Sequence, residues 1–304
     1  MLYYYRKPMR SHLLAPLALL ATPAFAEPPR VVTDIAPVQS LVAQVMGDLG
    51  APALLLKGGE TPHQMQLRPS QARELANAEL IVWIGSGLSP WLAEAIESLA
   101  GGAESLALLE QPTTHRREMG AHEEHDHEEG HHHHGPDPHV WLSVENAARW
   151  VTLFADKLAD LDPENAAIYR ANAAQAQAGL SALQTELRAT LAPAQGAEII
   201  TFHDSLGYFA DENHLHIAAT LRESDASSPS AARVAEMQAT LAHTPIACAF
   251  TEPGFDPALL QNLLGDGVRV SELDPIGARI NPGPQHYPNT LRAMARSIAE
   301  CLQR

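Results

Sequence analysis

The chain has 304 residues, 45 % hydrophobic and 18 % charged, a composition that suits one large or two mid-sized folded domains and excludes a disordered chain. Twenty Lys and Arg against 36 Asp and Glu give a formal charge of −16, which argues against nucleic acid and against a polybasic membrane-surface protein, since both need clustered cations. Sixteen histidines beside only six Phe and six Tyr are the unusual count, and they are unevenly spread.

Residues 1–26 carry Arg6, Lys7 and Arg10, then an apolar run over 13–20, then Ala24-Phe25-Ala26. A positive start, an apolar centre and a small-x-small site predict a secretory signal peptide, cut after Ala26. The run is too short for a membrane anchor, and no Cys near the cut invites lipidation. Beyond it, short β-branched runs at 30–34, 53–56, 80–84, 198–201, 216–220, 245–251 and 268–273 alternate with helical patterns such as 38–49, 69–76, 91–99 and 230–242. This alternation predicts an α/β fold with mostly parallel sheets and a ligand site at C-terminal strand ends.

Two segments interrupt the alternation. Residues 163–192 form the longest helical pattern, opened by Asp162-Pro163 and striped by Leu180, Leu183, Leu187 and Leu191. It is expected to be a rigid linking helix between an N-terminal lobe, 27–162, and a C-terminal lobe, 193–304. Residues 115–137 hold eight histidines (His115, His122, His125, His127, His131, His132, His133 and His134) and seven acids, Asp137 among them. With no apolar periodicity, this segment is expected to be a mobile surface loop and a weak, fast-exchanging metal collector whose capture fades below about pH 6. Export also bears on the two cysteines: an even count in an oxidising compartment pairs Cys248, in an apolar strand, with Cys301, on the last helix. Two buried thiols are the alternative.

Three further histidines sit at punctuated positions. His63 lies in Gly58-Gly-Glu-Thr-Pro-His63, after the 53–56 run; His139 lies in Asp137-Pro-His139-Val-Trp-Leu142; His203 ends the run into Phe202-His203-Asp204. Asp274 follows the last strand in Leu273-Asp-Pro-Ile-Gly277. Two of the histidines follow proline, which restricts the backbone approach. Three imidazoles and a carboxylate form an N3O set suited to Zn2+, with Glu60, Asp204 and Glu252 placed to orient the rings or to serve as alternate ligands.

At these residues the chain resembles the periplasmic zinc-binding proteins of bacterial high-affinity zinc-uptake ABC transporters, in the metal-binding cluster of solute-binding proteins. The four motifs, their order, the acidic His-rich insertion and the long helix all match that pattern. The resemblance implies two similar α/β lobes joined by one long rigid helix, with the metal in the interlobe cleft. It implies His63, His139 and His203 as ligands, with Asp274, a nearby carboxylate such as Glu60, or water in the fourth position. Relatives that take manganese or iron have Glu at the place of His203, so His there favours zinc. The implied role is capture of Zn2+ and delivery to the membrane permease of an ABC importer, with a periplasmic zinc chaperone as a further partner and no nucleic acid. The chain is expected to act as a monomer and not as an enzyme. Two rivals remain at this level: an extracytoplasmic zinc hydrolase, which would need a base such as Glu60 or Glu252 although no HExxH is present, and a sequestering buffer using only the 115–137 loop.

Overall fold

The computed structural model describes residues 27–57, 60–63, 65–119, 135–222, 229–265 and 267–303, together with Met1. Apart from Met1, the expected signal peptide lies outside the described residues.

The first half runs β1 (Val31–Thr33), α1 (Ala36–Met46), β2 (Ala53–Leu54), α2 (Pro69–Ala76), β3 (Leu80–Trp83), α3 (Pro90–Leu99) and β4 (Glu104–Ala107). Two long helices follow, α4 (Val144–Leu161) and α5 (Ala166–Leu191). The second half runs β5 (Glu198–His203), α6 (Gly207–Asn213), β6 (His216–Arg222), α7 (Ala231–His243), β7 (Ile246–Thr251), α8 (Pro257–Leu264), β8 (Arg269–Glu272) and α9 (His286–Leu302). The sheets have the orders β2-β1-β3-β4 and β6-β5-β7-β8, the same topology used twice, and every pairing is parallel. Thus the α/β expectation with two similar lobes is met.

Parallel strands are covered on both faces, and the side chains sort accordingly. In the first sheet Val31, Leu80 and Val82 face a large central cluster, while Val32, Ile81 and Trp83 face a smaller outer one. In the second sheet Ile199, Cys248 and Phe250 join the same central cluster, while Ile200, Phe202 and Ala249 face a third. Both sheets therefore share one continuous core, filled by α1, α4, α5 and α9. The buried stripe of α5 is Tyr169, Ala173, Ala176, Leu180, Leu183, Leu187 and Leu191, the spacing of one helix face. Its 26 residues extend about 39 Å.

Four details differ from expectation. The long helix starts at Ala166, because Pro163–Asn165 forms a separate 3-10 turn. Asp162 does not open it: its Oδ2 accepts from Asn165 Nδ2 and Tyr169 Oη, each at 2.8 Å, and pins the corner between α4 and α5. Strand β4 was not expected, since Glu-Ser-Leu-Ala offers no apolar run, and as an edge strand it needs none. The histidine-rich segment is not wholly loop-like either: Glu118 bridges Pro136, Met119 N–H donates to Gly135 O at 3.1 Å, and Asp137 N–H donates to Arg117 O at 2.8 Å. Those bonds form a short ordered neck at its root.

The disulfide Cys248–Cys301 joins β7 to α9 with a Cα–Cα distance of 6.2 Å. The last helix is thus fastened to the second sheet, while its start reaches the first lobe. Ser40 Oγ donates to Pro284 O and accepts from Tyr287 N–H, both at 3.0 Å, and Tyr287 Oη donates to Trp141 O at 2.9 Å.

Candidate metal centre

His63 follows β2, His139 opens the 3-10 turn Val140–Leu142, and His203 is the last residue of β5. Each stands beyond or at the end of a strand or in the crossover that leaves one, where open parallel sheets place their ligands. One ring nitrogen from each lies within 4.8 Å of the other two. His139 and His203 are 2 % and 3 % exposed and their ring centroids are 4.8 Å apart. His63 is less buried, and its ring stands 6.2 Å from both. Among the described residues this is the one group of three or more His, Cys, Asp or Glu residues placed to hold a metal ion.

The carboxylate that aims His139 is Asp137, which sequence reading had grouped with the solvated acids of the loop. It is fully buried, and its Oδ1 accepts from both His139 N–H at 2.9 Å and His139 Nδ1 at 2.7 Å. That bond leaves Nε2 of His139 as the donor to a metal and fixes the ring plane. The Tyr208 hydroxyl donates to Asp137 O and accepts from the Arg117 N–H, both at 3.0 Å. Burial pushes the Tyr208 hydroxyl well above its usual range, so it stays a neutral donor. On the other side the Trp141 ring lies tilted beside His139, centroids 5.3 Å apart, and its Nε1 donates to Pro275 O. Glu252, which follows β7, has Oε1 3.3 Å from His203 Nδ1 and accepts from Ser205 Oγ at 3.1 Å.

The other nominated residues are not members of the three-histidine group. Asp274 Oδ1 accepts from Gly277 N–H at 2.8 Å and shapes the turn after β8; it is outside the three-histidine group. Glu60 pairs with Arg68 Nη2 at 2.5 Å and accepts from Lys57 N–H at 3.0 Å. With Pro62 it lines a cavity of about 140 Å3 that Ile276, Asn281 and His286 close from the second half. Asp204 is buried directly after His203, and its N–H donates to Arg222 O. His115 is exposed at the neck, its N–H donating to Asn146 Oδ1 and its ring edge-on to Tyr208. The remaining loop histidines, His122, His125, His127 and His131 to His134, lie outside the described residues.

Two like α/β lobes locked by a shared helical layer, with three imidazoles converging where the lobes meet, define a solute-binding protein for a metal ion. The family model for the periplasmic component A of zinc-uptake complexes, ZnuA, matches residues 31–301, and the chain belongs to that family. The high-affinity zinc uptake system protein ZnuA of Paracoccus denitrificans (strain Pd 1222) is 43 % identical, the match covering 97 % of this chain and 98 % of that protein. Its counterpart in Brucella suis biovar 1 (strain 1330) is 33 % identical over 90 % of this chain and 92 % of the relative. Among solved structures, a zinc-bound ZnuA deletion mutant superposes with a TM-score of 0.74 at 28 % identity, covering 90 % of this chain and 98 % of that one. The periplasmic zinc-binding protein TroA of Treponema pallidum shares the fold, with a TM-score of 0.77 at 24 % identity over 91 % of this chain and all of that one (100 %).

Proposed function

We propose that this chain captures Zn2+ in the periplasm with His63, His139 and His203 and hands it to the membrane permease of an ABC importer. The convergence of three imidazole donors within 4.8 Å carries the reading. A nitrogen set suits Zn2+ better than Mn2+, which prefers oxygen. Donors around one tetrahedral zinc at ~2.0–2.1 Å stand about 3.4 Å apart, so the triad contracts by up to roughly 1.4 Å on capture. His139 and His203, both buried and held by carboxylates, are the fixed half; His63, the more exposed, closes last. Water fills the fourth position, because Asp274 and Glu60 are engaged in their own turn and ion pair.

No bond in a substrate is made or broken in this scheme, so no residue is assigned a catalytic role. Residues 1–26 direct export and are cut after Ala26, the chain works as a monomer, and the 120–134 histidines collect zinc for the cleft or receive it from a periplasmic chaperone.

The test is zinc titration against a competing chelator. His63→Ala, His139→Ala and His203→Ala each weaken the tight site more than about tenfold, or ~1.4 kcal/mol, whereas Asp274→Ala has a smaller effect. If all three histidine variants titrate like the parent, the tight site lies elsewhere and the reading is wrong.

A further inference from the structure

Arg117 sits at the ordered neck of the histidine-rich segment, yet its side chain is only 9 % exposed. Its Nη1 is 3.2 Å from Asp137 Oδ2, and its Nε is 3.2 Å from Asp211 Oδ2 on α6. The guanidinium lies across Gly207, the first residue of α6, so closely that a Cβ there would fall 1.5 Å from Nη1. Burial works against the charge, but Asp211 and Asp137 outweigh it and push the guanidinium further up, so it is a permanent cation.

Asp137 is therefore held by both oxygens. Oδ1 serves the His139 ring and backbone, and Oδ2 serves Arg117. A carboxylate gripped on one oxygen can rotate about its side-chain torsions and carry the ring with it; one gripped on both cannot. The second grip also crosses the molecule, because Asp211 and Gly207 belong to the helix that begins four residues after His203. We propose that Arg117 is a positioning residue of the metal site, fixing the carboxylate that aims His139 and keeping it in register with the lobe that carries His203. This rests on the reading of His139 and His203 as zinc ligands.

Zinc affinity by chelator competition and the visible d–d spectrum of the Co2+-loaded full chain test it. Arg117→Met keeps the apolar stem and removes the grip; it should bind zinc about 10- to 100-fold more weakly, the usual effect of losing a group behind a ligand, with an altered cobalt spectrum. Arg117→Lys should recover part of both, since a point charge can pair with Asp137 but cannot span to Asp211 as the planar fork does. Gly207→Ala pushes the guanidinium off its seat and should reproduce the Met variant with the arginine intact. Parental affinity and spectrum in Arg117→Met would overturn the proposal; if that variant does not fold, the same result in Gly207→Ala overturns it. A parent that itself lacks a tight zinc, or keeps it in His139→Ala, would instead defeat the functional reading beneath.

Discussion

Asp34 makes the stability of the metal-free protein depend on pH in a direction that can be worked out. It follows β1, is fully buried, and accepts from Ile35 N–H at 2.8 Å and from Ile84 N–H at 2.9 Å, one on each oxygen. Burial raises its pKa from 3.8 to about 7, against the opposing pull of those two donors. The unfolded chain releases the proton near pH 4, while the native protein keeps it until about pH 7. In that window the native state binds one more proton, so stability is full below the lower value and is lost as pH rises through the upper one. The shift of about 3 units is worth on the order of 4 kcal/mol in total, of which about 3 kcal/mol falls between pH 4.5 and 7.5. Asp34→Asn removes the titration, at a pH-independent cost of about 1–3 kcal/mol because its amide nitrogen faces one of the two N–H donors. Urea unfolding of both proteins, with chelator present, gives the difference in stability at each pH. That difference should move by about 3 kcal/mol in favour of Asn from pH 4.5 to 7.5. Glu212, which burial raises, and His286, which burial lowers, titrate in both proteins and cancel. A flat difference would refute the argument.

Replacing both Cys248 and Cys301 with Ala opens a loop closed over 53 residues and should lower stability by about 4 kcal/mol in urea unfolding, while zinc affinity stays within about threefold. An unchanged midpoint would mean that the bond constrains little in the unfolded chain. Replacing 120–134 with an Asn-Gly turn keeps Arg117 and Asp137 in place, and the paired Met119 and Gly135 suit a hairpin closure. The tight zinc constant should be nearly unchanged, the weaker zinc equivalents should disappear, and stopped-flow capture should slow, most at low salt. Equal capture rates with no lost equivalents would leave the segment a plain linker.

Much of this was legible locally. Val31, Leu80 and Ile199 stand in apolar runs that only a sheet covered on both faces can absorb, and Leu180 to Leu191 repeat at helical spacing. His63 and His139 were visible because proline precedes each, and His203 because it ends a strand. Asp137 was hidden by its neighbours: it closes a run of acids and histidines, and composition places such a residue in water. A local signal did exist, since an Asp that caps the N–H two residues on is a common turn, and here that N–H belongs to His139. The same turn chemistry is present at Asp274, where Asp-Pro-Ile-Gly is a turn signature and Oδ1 accepts from the Gly277 N–H. Arg117 gave no signal, because its partners Asp137, Gly207 and Asp211 are assembled only by the tertiary fold.

The return of the C-terminal segment to the first lobe sets an order of events during synthesis. Ser40, in the middle of α1, completes its hydrogen bonds with Pro284 and Tyr287, the latter 247 residues later in the chain. At about 5–20 residues per second, that gap corresponds to roughly 12–50 s of elongation. For all of that time α1 lacks the helix that seals it, as the 140–143 turn does from its own synthesis onward, and the first lobe can be at most a partly packed intermediate. A chain cut short anywhere before residue 284 would keep the defect permanently, exposing the apolar side of α1 to other chains. The segment from Pro284 into the last helix is thus a quality check on the whole molecule: only a chain synthesised through it can close over α1.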